Sequence, residues 1–209
     1  MSIYSLKPRF QALLRPGVTR LHGMGVTANQ VTVAACFVSV ALGLALAFAP
    51  VPRSCFLLIP LWMFLRMALN AMDGMLAREF GQKSTLGAYL NELTDVVSDA
   101  ALYLPFAFVA PFGAGSVGAV IFFSAVSELA GVLAQTTGAS RRYDGPMGKS
   151  DRAFVFGALA LWIGAGGTLP TWSDALMWGI AALTALTVVN RVRAGLRESN
   201  ESVGKAQRG

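Results

Sequence analysis

The sequence contains few charged residues and almost none of the side chains that build disulfide frameworks or soft-metal clusters. Charged residues make up only 13% of the chain, whereas a soluble domain usually has about 25%. The two cysteines, Cys36 and Cys55, lie in or beside apolar segments without the spacing of metal ligands, and His22 is the only histidine. These features argue against a soluble globular domain, a disulfide scaffold and a zinc site.

Apolar residues, at 55% of the chain, form several runs long enough to cross a bilayer, which takes about 20 mostly apolar residues in a helix. We therefore predict an all-α integral membrane protein, a single domain over residues 1–209 with six transmembrane helices. A basic, amphipathic segment at about 5–21 is expected to form an interfacial helix on the bilayer surface, with a disordered basic tail as the alternative. The spans are predicted at about 31–49, 56–77, 86–110, 116–135, 153–167 and 174–190.

The net charge of +6 arises from basic residues that flank the apolar segments. This pattern favours membrane lipids with anionic headgroups as partners, and no nucleic acid. With six spans, the basic loop residues fall on the side of the N-terminus, and only Arg53 falls on the other side. The bias predicts a multi-pass protein of the inner (cytoplasmic) membrane with both termini in the cytoplasm. The first twenty residues lack the apolar run of a cleavable signal peptide, so none is expected.

Carboxylates inside predicted spans are costly, at roughly 3 kcal/mol or more each near the middle of the bilayer. Asp73 lies near the cytoplasmic end of the second span, and Asp95 and Asp99 lie in the cytoplasmic half of the third. Helical spacing puts Asn70 on the face of Asp73, and Asn91 on the face of Asp95 and Asp99. Oxygen donors on two facing helices are typical of a Mg²⁺ or Mn²⁺ site, especially when phosphate oxygens complete the coordination.

Other charged residues in the predicted spans leave alternatives open. Arg66 lies on the face of Asn70 and Asp73, so the acids could instead pair with Arg66 and Arg78 in a structural contact between helices. Glu128 in the fourth span could meet Arg66 or line a cavity for an acceptor. A transporter with an ion site is a further alternative. It is less favoured, because the acids cluster on one side whereas transporter sites usually lie near the midplane.

The stretch from Asn70 to Asp95 reads NAMDGMLAREFGQKSTLGAYLNELTD. It resembles the signature of the CDP-alcohol phosphotransferase family: Asp, two residues, Asp-Gly, two residues, Ala-Arg, about eight residues, Gly, three residues, Asp, three residues, Asp. Asn70 and Asn91 stand where the family has its first and third aspartates. The segment 27–32 is similar to the Thr-Pro-Asn motif that opens the first span in many members. The family's six-span bundle with an N-terminal interfacial helix also agrees with the layout predicted above.

The resemblance implies transfer of a phosphatidyl group from CDP-diacylglycerol, or another CDP-alcohol, to an alcohol acceptor, with release of CMP at the cytoplasmic side. Asp95 is then the candidate general base. The candidate metal ligands are Asp73, Asp95, Asn70, Asn91 and Asp99. The candidate CDP-binding residues are Asn29, Asp73, Gly74, Ala77, Arg78 and Gly87. A homodimer is expected, because the family commonly forms one.

The loop between the fourth and fifth predicted spans is a candidate site for a phosphate on the acceptor, through Arg141, Arg142, Lys149 and Arg152. The alternative is that these residues only set the topology. The residues leave the acceptor and the number of metal ions open. Because Asn70 and Asn91 are neutral, they also leave open a catalytically weakened family member that binds CDP-lipid or regulates a partner. An enzyme with a soluble CDP-alcohol donor and a lipid acceptor is the other alternative.

Overall fold

The structure is a computed structural model that describes residues 3–206, with side-chain surroundings described for residues 8–202. Over residues 3–206 the chain forms seven α-helices, three short 3₁₀ helices and no β-strand. The α-helices are α1 (Ile3–Gly23), α2 (Ala28–Phe48), α3 (Leu58–Glu79), α4 (Thr85–Tyr103), α5 (Ala114–Leu133), α6 (Lys149–Gly164) and α7 (Ser173–Ala206). The 3₁₀ helices are Arg53–Leu57, Leu104–Phe108 and Ala134–Thr137. The predicted all-α fold is confirmed.

Four helical segments in the described part of the chain are long and apolar enough to cross a bilayer. They are Ala28–Phe48, Arg53–Glu79, Ala114–Thr137 and Ser173–Ser202, with mean hydropathies of 2.4, 1.7, 2.0 and 1.5. Helix α4 carries several carboxylates, and α6 has only 16 residues. The count of six spans therefore stays a prediction.

The helix ends differ from the predicted spans by more than three residues at three places. Helix α4 ends at Tyr103, and a 3₁₀ helix follows, because Pro105 has no N–H with which to continue the α-helical pattern. Helix α6 begins at Lys149, before the predicted start at 153, since Asp151 accepts a hydrogen bond from the Gly148 N–H at 2.9 Å. Helix α7 continues to Ala206, well past the predicted end at 190.

The N-terminal ends of α2 and α4 are capped and lie close together. Thr27 and Gln30 cap α2 reciprocally, with each side chain accepting from the other residue's backbone N–H. The Ser84 hydroxyl accepts from the Gly87 N–H at the start of α4, at 2.9 Å. Gln82, in the loop between α3 and α4, accepts from the Ala28 N–H at 2.7 Å. This bond ties the start of α2 to the loop from which α4 begins.

Aromatic rings fill the centre of the bundle, and large apolar side chains also cover its outside. The ring of Tyr103 stacks on Phe156 with centroids 3.9 Å apart, and Phe106 meets Phe156 edge-on at 5.0 Å. On the outside, Phe37 and Phe154 are 73% and 77% exposed. Exposed aromatic surface of this kind is typical of helices that face lipid rather than water.

Helix α1 packs on the end of α3. Val18 is fully buried against Met75 and Leu76, and Arg15 forms an ion pair with Glu79 at 2.6 Å. The helix is thus attached to the bundle by apolar packing and by charge. Its position at the bilayer surface stays a prediction.

We expect Gly43→Ala to lower the unfolding temperature of the purified protein. A Cβ added at Gly43 of α2 would overlap the carbonyl oxygen of Ala101 in α4, and such overpacking typically costs about 1–3 kcal/mol. Thermal unfolding in detergent measures the effect. Gly118→Ala in α5 is the matched control, because nothing lies within 4 Å of its added Cβ. Equal unfolding temperatures for the two variants would contradict the close approach of α2 and α4.

Candidate active site

Asp95 of α4 is surrounded by cations and amide donors from two other helices. Its Oδ1 accepts from Arg66 Nη2 at 2.8 Å and from Asn70 Nδ2 at 3.3 Å, both on α3. Its Oδ2 forms an ion pair with the ammonium of Lys149, the first residue of α6. Asn70 and Asp95 therefore face each other across α3 and α4. Both carboxylate oxygens of Asp95 are already engaged by basic side chains of the chain itself.

Asp73 of α3 is held from a different direction, by α2. The Thr32 hydroxyl donates to Asp73 Oδ2 at 2.7 Å, and both residues are buried. Sequence reasoning missed Thr32, although it belongs to the segment 27–32 that drew attention to Asn29. Its position one turn after Ala28, at the capped start of α2, was the available signal.

The carboxylates predicted as metal ligands do not form one cluster. Asp99 lies a turn further along α4 than Asp95, and its Oδ1 accepts from Arg66 Nη1 at 2.5 Å. Among the residues that the structure describes, no group of three or more His, Cys, Asp and Glu side chains is placed to hold a metal ion. Arg66 forms ion pairs with both Asp95 and Asp99. It is thus the counter-ion of these acids, as in the structural alternative that the sequence left open.

A large cavity of about 950 Å³ opens between α2, α3, α4 and α5. All of the predicted CDP-binding residues line it: Asn29, Asp73, Gly74, Ala77, Arg78 and Gly87. Asn91 and Glu92 line it as well. Much of the remaining lining is apolar, including Leu93, Val97 and Leu129. The cavity thus combines an apolar wall with a polar end.

The two glycines of this cavity leave room for polar side chains. A Cβ at Gly74 would lie 2.8 Å from Arg78 Nη2, so the guanidinium of Arg78 folds over Gly74. A Cβ at Gly87 would lie 2.8 Å from Asn29 Oδ1 and 3.0 Å from the Ser84 hydroxyl. Glycine at these positions lets polar groups approach the backbone of α3 and α4 closely.

A second, smaller cavity of about 370 Å³ is lined mostly by polar residues, among them Asp95, Tyr143 and Asp151. Of the basic residues predicted to bind an acceptor phosphate, Arg141 and Lys149 line it. Arg191 of α7 also lines it, and sequence reasoning had counted it only among the basic residues that set the topology.

The other two predicted phosphate-binding residues lie elsewhere. Arg152 is completely buried and donates to Glu128 at 3.0 Å. Arg142 pairs with Asp144 at 2.9 Å and with Glu198 at 2.5 Å. Hydrogen bonds from the Arg142 guanidinium hold the pKa of the Asp144 carboxyl, in the loop before α6, below its usual range.

Glu128 of α5 lies among three arginines. Its oxygens are 3.0 Å from Arg152 Nη2, 3.3 Å from Arg191 Nη1 and 3.5 Å from Arg141 Nη2. The hypothesis that Glu128 meets Arg66 is wrong, because Glu128 pairs with the three arginines named above, whereas Arg66 pairs with Asp95 and Asp99 of α4. The alternative, that Glu128 lines a cavity, is the one that the structure supports.

The two cavities share part of their lining. Glu128 and Arg141 line both of them. Arg141 also forms an ion pair with Glu92, which lines the large cavity. The site is therefore an apolar-walled cavity and a polar cavity that meet at Arg141 and Glu128, with Asp73 in the first and Asp95 in the second.

Comparison with known proteins identifies the family of the chain. The profile of the CDP-alcohol phosphatidyltransferase family matches residues 25–189. The chain belongs to this family. The matched range includes the signature in α3 and α4 and, apart from Arg191, the residues that line the two cavities.

Relatives and solved structures extend the comparison. Inner membrane protein YnbA of Escherichia coli (strain K12) is 48% identical over 204 residues, which are 96% of this chain and 100% of that protein. The phosphatidylinositol phosphate synthase PgsA1 of Mycobacterium tuberculosis, in complex with manganese and citrate, has a similar fold. Its TM-score is 0.69 at 22% identity, over 87% of this chain and 88% of that chain. The form with CDP-DAG bound gives a TM-score of 0.69 at 23% identity, over 86% of this chain and 92% of that chain. At these identities the likeness concerns the fold.

Proposed function

We propose that the protein transfers a phosphatidyl group from CDP-diacylglycerol to an alcohol acceptor and releases CMP. The acceptor oxygen forms a bond with the β-phosphorus, and the bond between that phosphorus and the bridging oxygen to CMP breaks. The hydroxyl proton of the acceptor passes to Asp95. Membership of the family and the CDP-DAG complex of PgsA1 support the choice of donor.

The observation that carries this proposal is the meeting of two different cavities at one charged junction. The larger cavity has the predicted CDP-binding residues at its polar end and apolar side chains along its wall, which suits a nucleotide attached to acyl chains. The smaller cavity has Arg141 and Lys149 beside Asp95, which suits an acceptor that carries a phosphate. A donor and an acceptor in these positions would meet next to Asp95.

The donor atoms in the larger cavity fit one divalent cation. Mg²⁺ is usually bound in proteins by one or two carboxylates together with phosphate oxygens of the substrate. Asp73 and Asn91 both line the cavity, and the diphosphate of the donor would complete the coordination. Mg²⁺ or Mn²⁺ held there would neutralise the diphosphate and stabilise the leaving CMP.

The chain's own side chains would perform the remaining steps. Arg78 in the lining of the larger cavity would donate to the diphosphate, and Arg141 and Lys149 would bind the phosphate of the acceptor. Thr32 holds the carboxylate of Asp73 in place with its hydroxyl. Asp95, fixed by Arg66 and Asn70, would accept the proton of the acceptor hydroxyl.

We also propose that the chain forms one six-span bundle of the inner membrane, with α1 at the cytoplasmic surface. The four long apolar helices would then be joined by α4 and α6, whose charged ends lie at the site. Both termini and both cavities would face the cytoplasm, where the basic residues concentrate. The description of YnbA as an inner membrane protein supports this placement. The homodimer stays a prediction.

One alternative is a catalytically weakened member that binds CDP-lipid. The observation that favours it is the pair of neutral residues at family aspartate positions, Asn70 and Asn91. The other alternative is an enzyme with a soluble CDP-alcohol donor and a lipid acceptor. The source of CMP separates the three. The proposed enzyme releases CMP from CDP-diacylglycerol, the other enzyme releases it from a soluble CDP-alcohol, and the weakened member releases little or none.

We expect CMP release by the purified protein in nanodiscs with CDP-diacylglycerol and Mg²⁺ or Mn²⁺. Acceptors to be tested include glycerol 3-phosphate, inositol phosphate and serine. EDTA should abolish the release and added metal should restore it, because a cation on the diphosphate stabilises the charge that develops on the leaving CMP. Binding of CDP-diacylglycerol without CMP release for any acceptor would favour the weakened member. Absence of both binding and release would refute the proposed function.

A further inference from the structure

Asp95 occupies a family aspartate position, but its surroundings are those of an ion pair rather than of a metal ligand. One oxygen accepts from Arg66 at 2.8 Å and from Asn70 at 3.3 Å, and the other pairs with Lys149. The side chain of Asp95 is only 17% exposed. A metal ion at these oxygens would compete with the two bound cations for the carboxylate's lone pairs.

Lys149 takes this position against the preference of its own helix. It is the first residue of α6, where the partial positive charge of the helix end disfavours a cation. The carboxylate of Asp95 provides the opposing attraction. The ammonium of Lys149 is therefore held in the site by Asp95, and not by the local helical sequence.

Asn70 and Asn91 change the charge of the site in a related way. Aspartates at these positions would add negative charge beside Asp73 and Asp95, which favours either a second divalent cation or protonation. An amide at position 70 instead donates a hydrogen bond to Asp95. With these two residues neutral, the ammonium of Lys149 and the guanidinium of Arg66 balance Asp95 and its neighbour Asp99.

We propose that Lys149, supported by Arg66, serves as a built-in cation at Asp95, so that the site binds a single divalent metal at Asp73. In this arrangement Lys149 supplies positive charge at Asp95 without a second metal ion. The inference rests on the proposed function, because it assigns the metal at Asp73 to the diphosphate of the donor.

The test is Mn²⁺ binding, measured by electron paramagnetic resonance on the protein in nanodiscs with and without CDP. We expect the wild type to bind about one Mn²⁺ per chain. Lys149→Met should bind Mn²⁺ about tenfold or more tightly, because a like charge beside the metal is removed. Lys149→Arg keeps the charge and is the matched control, with binding like that of the wild type. Asn70→Asp and Asn91→Asp combined with Lys149→Met should bind about two Mn²⁺ per chain.

Three results would overturn the inference. They are two Mn²⁺ per chain in the wild type, unchanged affinity in Lys149→Met, and no Mn²⁺ binding in any variant. Size-exclusion profiles and unfolding temperatures of the variants establish that each protein is folded. CMP release from CDP-diacylglycerol is a separate measurement. If Mn²⁺ binding follows the expected pattern without CMP release, the proposed function fails while the role of Lys149 stands.

Discussion

Replacing Asp95 with asparagine is expected to reduce the rate of CMP release by about a thousandfold, because general-base catalysis typically contributes between about 10² and 10⁴. The amide keeps the shape of the carboxylate but has little affinity for the proton of the acceptor. Arg66 retains Asp99 as a partner at 2.5 Å, so the fold should survive. The rate is measured with saturating CDP-diacylglycerol, metal and the acceptor identified for the wild type.

The control for this variant is Glu79→Gln at the end of α3. Glu79 pairs with Arg15 of α1 and lies outside the lining of both cavities. Its substitution removes a carboxylate and an ion pair between α3 and α1 without touching the site. A rate near that of the wild type in Asp95→Asn would exclude Asp95 as the base. A loss of similar size in Glu79→Gln would mean that the assay reports general damage.

Replacing Glu128 with glutamine is expected to destabilise the protein by about 3 kcal/mol or more, because removing one partner of a buried ion pair leaves the other charges uncompensated. The side chains of Arg152 and Arg191, at 0% and 2% exposure, have little access to solvent. A glutamine oxygen can still accept a hydrogen bond, but it cannot balance the charge of either guanidinium. Thermal unfolding in detergent, followed by monodispersity on size exclusion, measures the loss.

Glu92→Gln is the matched control for Glu128→Gln, since Glu92 also pairs with Arg141. Its side chain is 29% exposed, compared with 8% for Glu128. Ion pairs with more access to solvent contribute little to stability, usually less than about 1 kcal/mol. A larger loss of stability in Glu92→Gln than in Glu128→Gln would contradict the role of Glu128 as the counter-ion of the buried arginines.

The charged residues show how far the sequence alone could lead. Helical spacing predicted that Asn70 would share a face with Asp73, and that Asn91 would share one with Asp95 and Asp99. It could not predict that Arg66 would form ion pairs with both Asp95 and Asp99. Nor could it predict that Glu128 would pair with Arg141, Arg152 and Arg191. Those pairs join residues from different helices, such as Glu128 of α5 and Arg191 of α7, and periodicity within one helix does not determine which helices pack together.

The basic residues before α6 show the same division. Arg141, Arg142, Lys149 and Arg152 lie close together in the sequence, which predicted a phosphate site. Nothing in the sequence separated one of the four from the others. In the tertiary structure only Arg141 and Lys149 line the polar cavity. Arg142 pairs instead with Asp144 and Glu198. Arg152 is completely buried and pairs with Glu128. Capping at Gly148 starts α6 early enough to place Lys149 on Asp95.

The sequence by itself determined the class of fold and the family signature. Long apolar runs favour helices because the bilayer offers no partner for an unpaired backbone group. The signature in α3 and α4 places polar side chains on defined faces because the helix has a fixed period. Only the tertiary structure decided which cation faces which carboxylate, and that the two cavities meet at Arg141 and Glu128. Those outcomes depend on the packing of helices distant in sequence and on long side chains whose direction is set by their neighbours.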